Sequence, residues 1–296
     1  MNRFRYVFNL LRDISLIGVA MIKPLVVFAA LAAASTNSAE AADMAIKARP
    51  MTPLADVYSW TGFYVGVNAG GAWGRADTAS STIFAPPADY FASAINVAQF
   101  NLVGAQRDRT SGFIGGAQAG YNWQTGNIVA GIETDFQYFH QAGSGSAAGI
   151  LPTIPATFTI SQSFSTNWLW TLRPRLGLAA NNWLFYATGG LALTNLKANW
   201  RFIDNFNDVE TTSLSKTMVG WAVGGGAEYA FSSAWSLKAE YLYLNFGNAQ
   251  ITTSNILDSG FSPVPRQPIS HNISLTSNVV RIGLNYKLGG PVVARY

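Results

Sequence analysis

Val280-Arg281-Ile282-Gly283-Leu284-Asn285-Tyr286-Lys287-Leu288 alternates apolar residues with polar or small ones without a break. A strand turns successive side chains to opposite faces, so Val280, Ile282, Leu284, Tyr286 and Leu288 share one side and Arg281, Gly283, Asn285 and Lys287 the other. One face is greasy and the other charged. Repeated along a chain, that pattern describes a barrel with lipid outside and polar groups inside.

Working back from this stretch, alternation and turn residues predict eight strands, at 61–74, 112–124, 127–141, 164–180, 183–199, 217–231, 235–247 and 275–288. An even number suits a closed antiparallel bacterial barrel. Short turns at Thr125-Gly126-Asn127, Asn181-Asn182 and Ser232-Ser233-Ala234 alternate with long segments at 75–111, 142–163, 200–216 and 248–274. Short connections on one side and long ones on the other are the asymmetry of a membrane barrel, with turns in the periplasm and loops outside. The expected fold is therefore all-β, an eight-stranded antiparallel transmembrane barrel with four long external loops.

Strand by strand, the outward face takes Ile128, Ala130, Ile132, Phe136 and Tyr138; then Trp168, Trp170, Leu172, Leu176 and Leu178; then Val219, Trp221, Val223, Tyr229 and Phe231. The opposite face takes Glu133, Asp135, Arg173, Arg175 and Glu228. The seventh strand begins cleanly, with Lys238 and Glu240 inward, and blurs at Leu242 and Leu244; the fifth is ambiguous throughout. Amphipathic rings favour the headgroup layer. Two aromatic girdles are expected: Trp60, Trp123, Trp183, Trp235 and Tyr286 toward the turns, and Trp73, Tyr138, Trp168, Tyr241 and Tyr243 toward the loops.

Composition agrees. Of 296 residues, 49% are hydrophobic and only 11% charged, against about 25% charged in soluble domains. After residue 42 no apolar run approaches the roughly 20 residues of a spanning helix. The N-terminal region has the form of an export signal over 1–41: Arg3, Arg5, Arg12 and Lys23, an apolar run from Leu25 to Ala34, and Ala39-Glu40-Ala41 as a small-x-small cleavage site. Met21-Ile22-Lys23 would open a complete signal alone, making Met21 a second candidate start. Residues 42–58, with Pro50 and Pro53, read as a periplasmic lead-in, 59–288 as the barrel, and 289–296 as a tail beyond Gly289-Gly290-Pro291. The chain has no cysteine, which excludes disulfides, thiolate metal sites and a lipoprotein anchor. Removing the signal's four basic and two acidic residues leaves 15 basic against 13 acidic, a net charge of +2 with no basic run. Nothing here points to nucleic acid.

Tyr58-Ser59-Trp60-Thr61-Gly62-Phe63-Tyr64-Val65-Gly66 resembles the first-strand signature of the small outer-membrane β-barrel proteins, in their porin-like surface-antigen branch. The signal ending Ala39-Glu40-Ala41-Ala42-Asp43 and the closing Arg281 to Lys287 are similar too, so the resemblance spans the mature chain. It implies an eight-stranded barrel in the outer membrane of a Gram-negative bacterium, with haem binding attributed to a few relatives, and it does not imply catalysis. One departure is the continuation past the last strand to Tyr296, where such barrels commonly end on a terminal aromatic.

Other motifs carry little. Ser213-Leu214-Ser215-Lys216 has the Ser-x-x-Lys spacing of penicillin-recognising enzymes without its partner motifs. Gly224-Gly225-Gly226 lies inside a strand, where it relieves crowding rather than cradling phosphate. His140 and His271 fall at the loop end; with Ser270 or Ser274 they could build a hydrolase, or one could ligate haem, but no neighbouring residues specify either.

The inward charges are the firmest constellation: Glu133, Asp135, Glu228 and Glu240 against Arg173, Arg175, Lys238, Arg281 and Lys287. Eight strands enclose a bore that side chains can fill, and enclosed charges persist when paired. These residues are expected to plug the lumen. The chain then reads as a surface barrel supporting the envelope and displaying its loops, without cofactor or metal. Its partners would be outer-membrane lipid and, through the last strand, the barrel assembly machinery; oligomeric state is left open. A diffusion porin is the alternative, loop binding of haem or host ligands a lesser one. A lipocalin-like carrier would instead turn its apolar faces inward.

Overall fold

The alternation of the sequence is realised as eight antiparallel strands: β1 (Gly62–Thr82), β2 (Ala105–Thr125), β3 (Ile128–Leu151), β4 (Ala156–Ala180), β5 (Trp183–Asp204), β6 (Val209–Ala230), β7 (Trp235–Thr253) and β8 (Ile269–Leu288). Each pairs with its sequence neighbour, and β8 returns to β1 to close the barrel. The computed structural model describes residues 58–86, 90–254, 256 and 267–289. The signal, most of the lead-in and the tail beyond Gly289 lie outside the described residues. So does most of the segment joining β7 to β8.

The strands run 19 to 25 residues, about twice the 9–11 needed to cross a bilayer. Most of the four segments expected as long loops are thus paired arms of the barrel, continuing past the lipid. β3 and β4 pair until Leu151↔Ala156, and β5 and β6 until Ile203↔Val209. The sequence conceals this because Ser, Thr and Asn dominate the outer face of the arms and read as loop.

Where the arms leave the lipid, the ladder changes. β2 pairs with β3 only between Ile114↔Phe139 and Thr125↔Ile128. β6 pairs with β7 only between Trp221↔Asn245 and Ala230↔Ser236. Beyond those points, among the described residues, the arms form two facing sheets, β7-β8-β1-β2 and β3-β4-β5-β6. Register shifts at Tyr138/Gln141, Ser165/Leu169 and Asn245/Asn248 fall at this level, where bulges let strands bend from one arrangement into the other.

Side-chain polarity inverts at the same level. Toward the turns, Val65, Val67, Leu176, Leu178, Phe185, Leu237 and Ile282 are exposed on the outer wall while charges are enclosed. In the arms, Ser163, Ser165, Asn199, Ser213 and Thr276 face outward, and Phe164, Leu196, Ala198, Trp200, Leu244, Phe246, Ile273 and Leu275 pack inside. This explains the two unclear strands. Leu184, Leu196, Trp200 and Phe202 of β5, like Leu242 and Leu244 of β7, face inward, so apolar residues occupy both faces.

The mouth is closed by α1 (Ala94–Gly104), which the sequence reading missed inside an expected loop. Ser93 caps it, its hydroxyl accepting from the Asn96 backbone N–H at 3.2 Å. Val97 and Phe100 then pack with Phe91, Leu151, Phe158, Phe202 and Ile269. Gly104 ends the helix against the Ser80 carbonyl, which a Cβ would approach to 2.1 Å. The opposite end is sealed by Trp60, Val129, Leu184, Tyr186 and Ala230.

Candidate functional site

The charged layer of the lumen is assembled by strand pairing. Glu133 of β3 stands opposite Arg173 of β4, and Glu240 of β7 opposite Arg281 of β8. Arg173 lies at the centre. Its guanidinium donates to Glu133 at 2.8 Å, Asp135 at 2.8 Å and Glu240 at 3.3 Å. Arg281 joins Asp135 at 2.9 Å and, through Nε, Glu240 at 2.7 Å. Lys238 reaches across to Glu133 at 2.9 Å, and Arg175 meets Glu228 at 3.2 Å.

Uncharged polar residues and two tyrosines complete the layer. Tyr64 donates to Glu133 at 2.8 Å and Tyr186 to Glu240 at 2.9 Å, while the Arg175 guanidinium lies 4.7 Å from the ring of Tyr64 and 5.2 Å from that of Tyr186. Asn285 and Ser236 donate to Glu228, Gln118 to Asn285, and Asn68 to Gln118. Space for the rings comes from opposing glycines: a Cβ on Gly120 would sit 2.3 Å from the Tyr64 oxygen, and one on Gly226 2.7 Å from that of Tyr186. That last contact gives the triple glycine of β6 a packing role.

Two expected members belong elsewhere. Lys287 is not part of the lumen network: at the rim, where β8 leaves the barrel, its ammonium donates to the Ser59 carbonyl and lies 5.2 Å from the Tyr58 ring. Without it the layer holds four carboxylates (Glu133, Asp135, Glu228, Glu240) and four cations (Arg173, Arg175, Lys238, Arg281), and is neutral. Trp60 is not in the girdle: it is 3% exposed, folded inward as part of the end seal, because the chain enters across the barrel's end before β1 begins.

The remaining girdle candidates lie on the outer wall. Trp123, Trp183, Trp235 and Tyr286 are exposed near the turns, with Trp235 4.9 Å from Tyr286 and Trp183 4.7 Å from Tyr229. Trp73, Tyr138, Trp168, Tyr241 and Tyr243 lie higher, Trp168 stacked on Phe136 at 6.0 Å. Ten residues of β1 separate Phe63 from Trp73, about 25 Å along the axis for a tilted strand. That is the height of an apolar membrane band.

His271 is enclosed in the arms, between Ser80 (Oγ to Nδ1, 2.8 Å) and Glu210 (Oε1 to Nε2, 3.3 Å), with Trp200 stacked over it at 5.1 Å. Both ring nitrogens are engaged, leaving neither for haem, and all three residues of this Ser-His-Glu set are at most 1% exposed. His140 is exposed on the outer wall beside Tyr138. Ser213 and Lys216 are exposed on the β6 arm. An open groove of about 640 Å3 on the arms is lined by Ser161, Ser163, Asn199, Arg201, Thr211 and Ser213.

Comparison with known proteins gives the family of the chain. Residues 27–262 match the family model described as the outer membrane protein beta-barrel domain. The 31 kDa outer-membrane immunogenic protein of Brucella melitensis is 37% identical over 268 residues, spanning 88% of this chain and 98% of that protein. The 22 kDa outer membrane protein of Rhizobium leguminosarum is 26% identical over 235 residues, 79% of this chain and 81% of that protein. Among solved structures, Neisserial surface protein A aligns over 77% of this chain and 98% of its own, at 13% identity and a TM-score of 0.32. The chain belongs to the outer-membrane β-barrel protein family and resides in the outer membrane.

Proposed function

We propose that this protein is a closed, non-enzymatic surface barrel: it occupies the outer membrane, stiffens it, and holds a water-clad, two-sheet head beyond the lipid. The observation that carries the reading is the filled interior, a neutral layer of ion pairs toward the turns followed by an apolar core and a helical cap. A solute-conducting bore would favour a wider barrel or one dominant charge. The head faces outward and the short turns face the periplasm, since the lead-in precedes β1 at the turn end. Insertion proceeds through the assembly machinery's reading of β8. Catalysis by Ser80, His271 and Glu210 is opposed by their burial under Trp200.

Planar-bilayer recording of the refolded protein tests closure against the porin alternative. The expected trace has no steady open state. Long-lived, uniform conductance steps from pure protein would overturn the reading.

A further inference from the structure

The charges of the arms are sorted by face. Above the apolar band, Arg75, Arg107, Arg109, Lys197 and Arg201 point outward, whereas Asp204, Asp208 and Glu210 are enclosed; Asp77 is the carboxylate that shares the outer face with the cations. Asp77 is paired with Arg107 at 2.5 Å. Arg75 of β1 and Arg109 of β2 stand directly opposite each other in the ladder, and among the described residues neither has a carboxylate partner. Like charges at that spacing, about 5 Å between Cβ atoms, repel unless an anion lies between them.

Their depth identifies the anion. Arg75 is the next outward position after Trp73, about 5 Å further along the barrel axis for a tilted strand. Trp73 ends the apolar face of β1 and Phe113 that of β2, with Ser111 and then Arg109 following. The pair therefore sits immediately above the hydrocarbon, at the height of lipid phosphates. Ser111 and Thr276, across from Trp73 and Arg75, supply hydroxyl donors beside it. From this we infer that Arg75 and Arg109 form a binding site for the phosphate of a phospholipid or glycolipid headgroup in the leaflet at the loop end, with the apolar wall below holding the acyl chains. Arginine suits the role because its planar fork engages phosphate oxygens bidentately. The site rests on the position of the lipid band, and not on whether the lumen conducts.

The test is lipid retention by the full protein, refolded in detergent micelles carrying equal phosphatidic acid and phosphatidylcholine and read by native mass spectrometry. Wild type should retain phosphatidic acid preferentially. Arg75→Gln with Arg109→Gln should lower that preference on the order of tenfold, as expected for two basic side chains removed near an anionic surface, while Arg75→Lys with Arg109→Lys keeps most of it. Both positions are exposed, and unchanged far-ultraviolet circular dichroism will verify the fold. Equal retention of the two lipids by wild type, or an undiminished preference in the glutamine variant, would overturn the site. Inorganic phosphate at matched ionic strength separates the sources: a headgroup site keeps its lipid, whereas displacement by phosphate would mean a free-anion site and overturn the lipid assignment.

Discussion

Arg173 shows what holds the interior. Its side chain is fully enclosed and bonded to three carboxylates, so Arg173→Ala would leave buried negative charge without its main partner, a loss of about 3–5 kcal/mol. Lys287→Ala removes a rim cation from a backbone carbonyl and should cost under about 1 kcal/mol. Urea midpoints of the two variants in lipid vesicles check the contrast; equal midpoints would mean that water reaches the layer. At the head, Tyr90 donates to Asp204 at 2.7 Å and lies 3.2 Å from Asp208. Burial first, then those carboxylates, raise its phenol well above the ordinary range. A raised pKa in the folded state means that the stabilisation is complete below the unfolded value of about 10 and fades as pH climbs beyond it. Tyr90→Phe should flatten the fall in unfolding midpoint between about pH 9 and 11; an unchanged slope would place that titration elsewhere.

At the scale of the strand, the sequence was most readable where one face met lipid and the other enclosed charge. Strands β3, β4 and β8 have that contrast over their turn-side halves, and Glu133, Asp135, Arg173, Arg175 and Arg281 could be sorted from alternation alone. β5 could not, because Leu184, Leu196, Trp200 and Phe202 face inward while Phe185 and Leu191 face lipid. The arms escaped for the opposite reason: Ser, Thr and Asn on a solvated sheet face look like loop. Trp60 and Lys287 were misplaced by counting outward from the strands, since neither follows the strand pattern once the chain crosses the rim. Register matters equally in both halves. A slip of one residue in β4 would move Arg173 and Arg175 into lipid, at a cost of about 2–4 kcal/mol each near mid-membrane. In the arms apolar packing replaces ion pairing, so Leu196→Ala, which opens a cavity among Ala198, Met218 and Leu244, should destabilise by about 2–5 kcal/mol. Thermal unfolding of that variant measures it, and a loss below about 1 kcal/mol would mean that the two sheets are loosely packed.

For the whole molecule, two solvents impose opposite rules on one set of strands. Below the split the outer wall must be apolar, and the lumen carries the polar groups, its four carboxylates each held by a cation. Above it the outer wall meets water and the interior can be an ordinary apolar core, so the barrel becomes two facing sheets under a helical lid. The absence of cysteine makes this inversion open to direct measurement by placing single cysteines at Val67, Ser163 and Leu275 and exposing intact cells to a membrane-impermeant maleimide, with bimane quenching by brominated lipid in vesicles as the second readout. Val67→Cys should be quenched by lipid and unreactive from outside, Ser163→Cys should react from outside and not be quenched, and Leu275→Cys should do neither. Lipid quenching at Ser163, or rapid labelling at Leu275, would contradict the inversion.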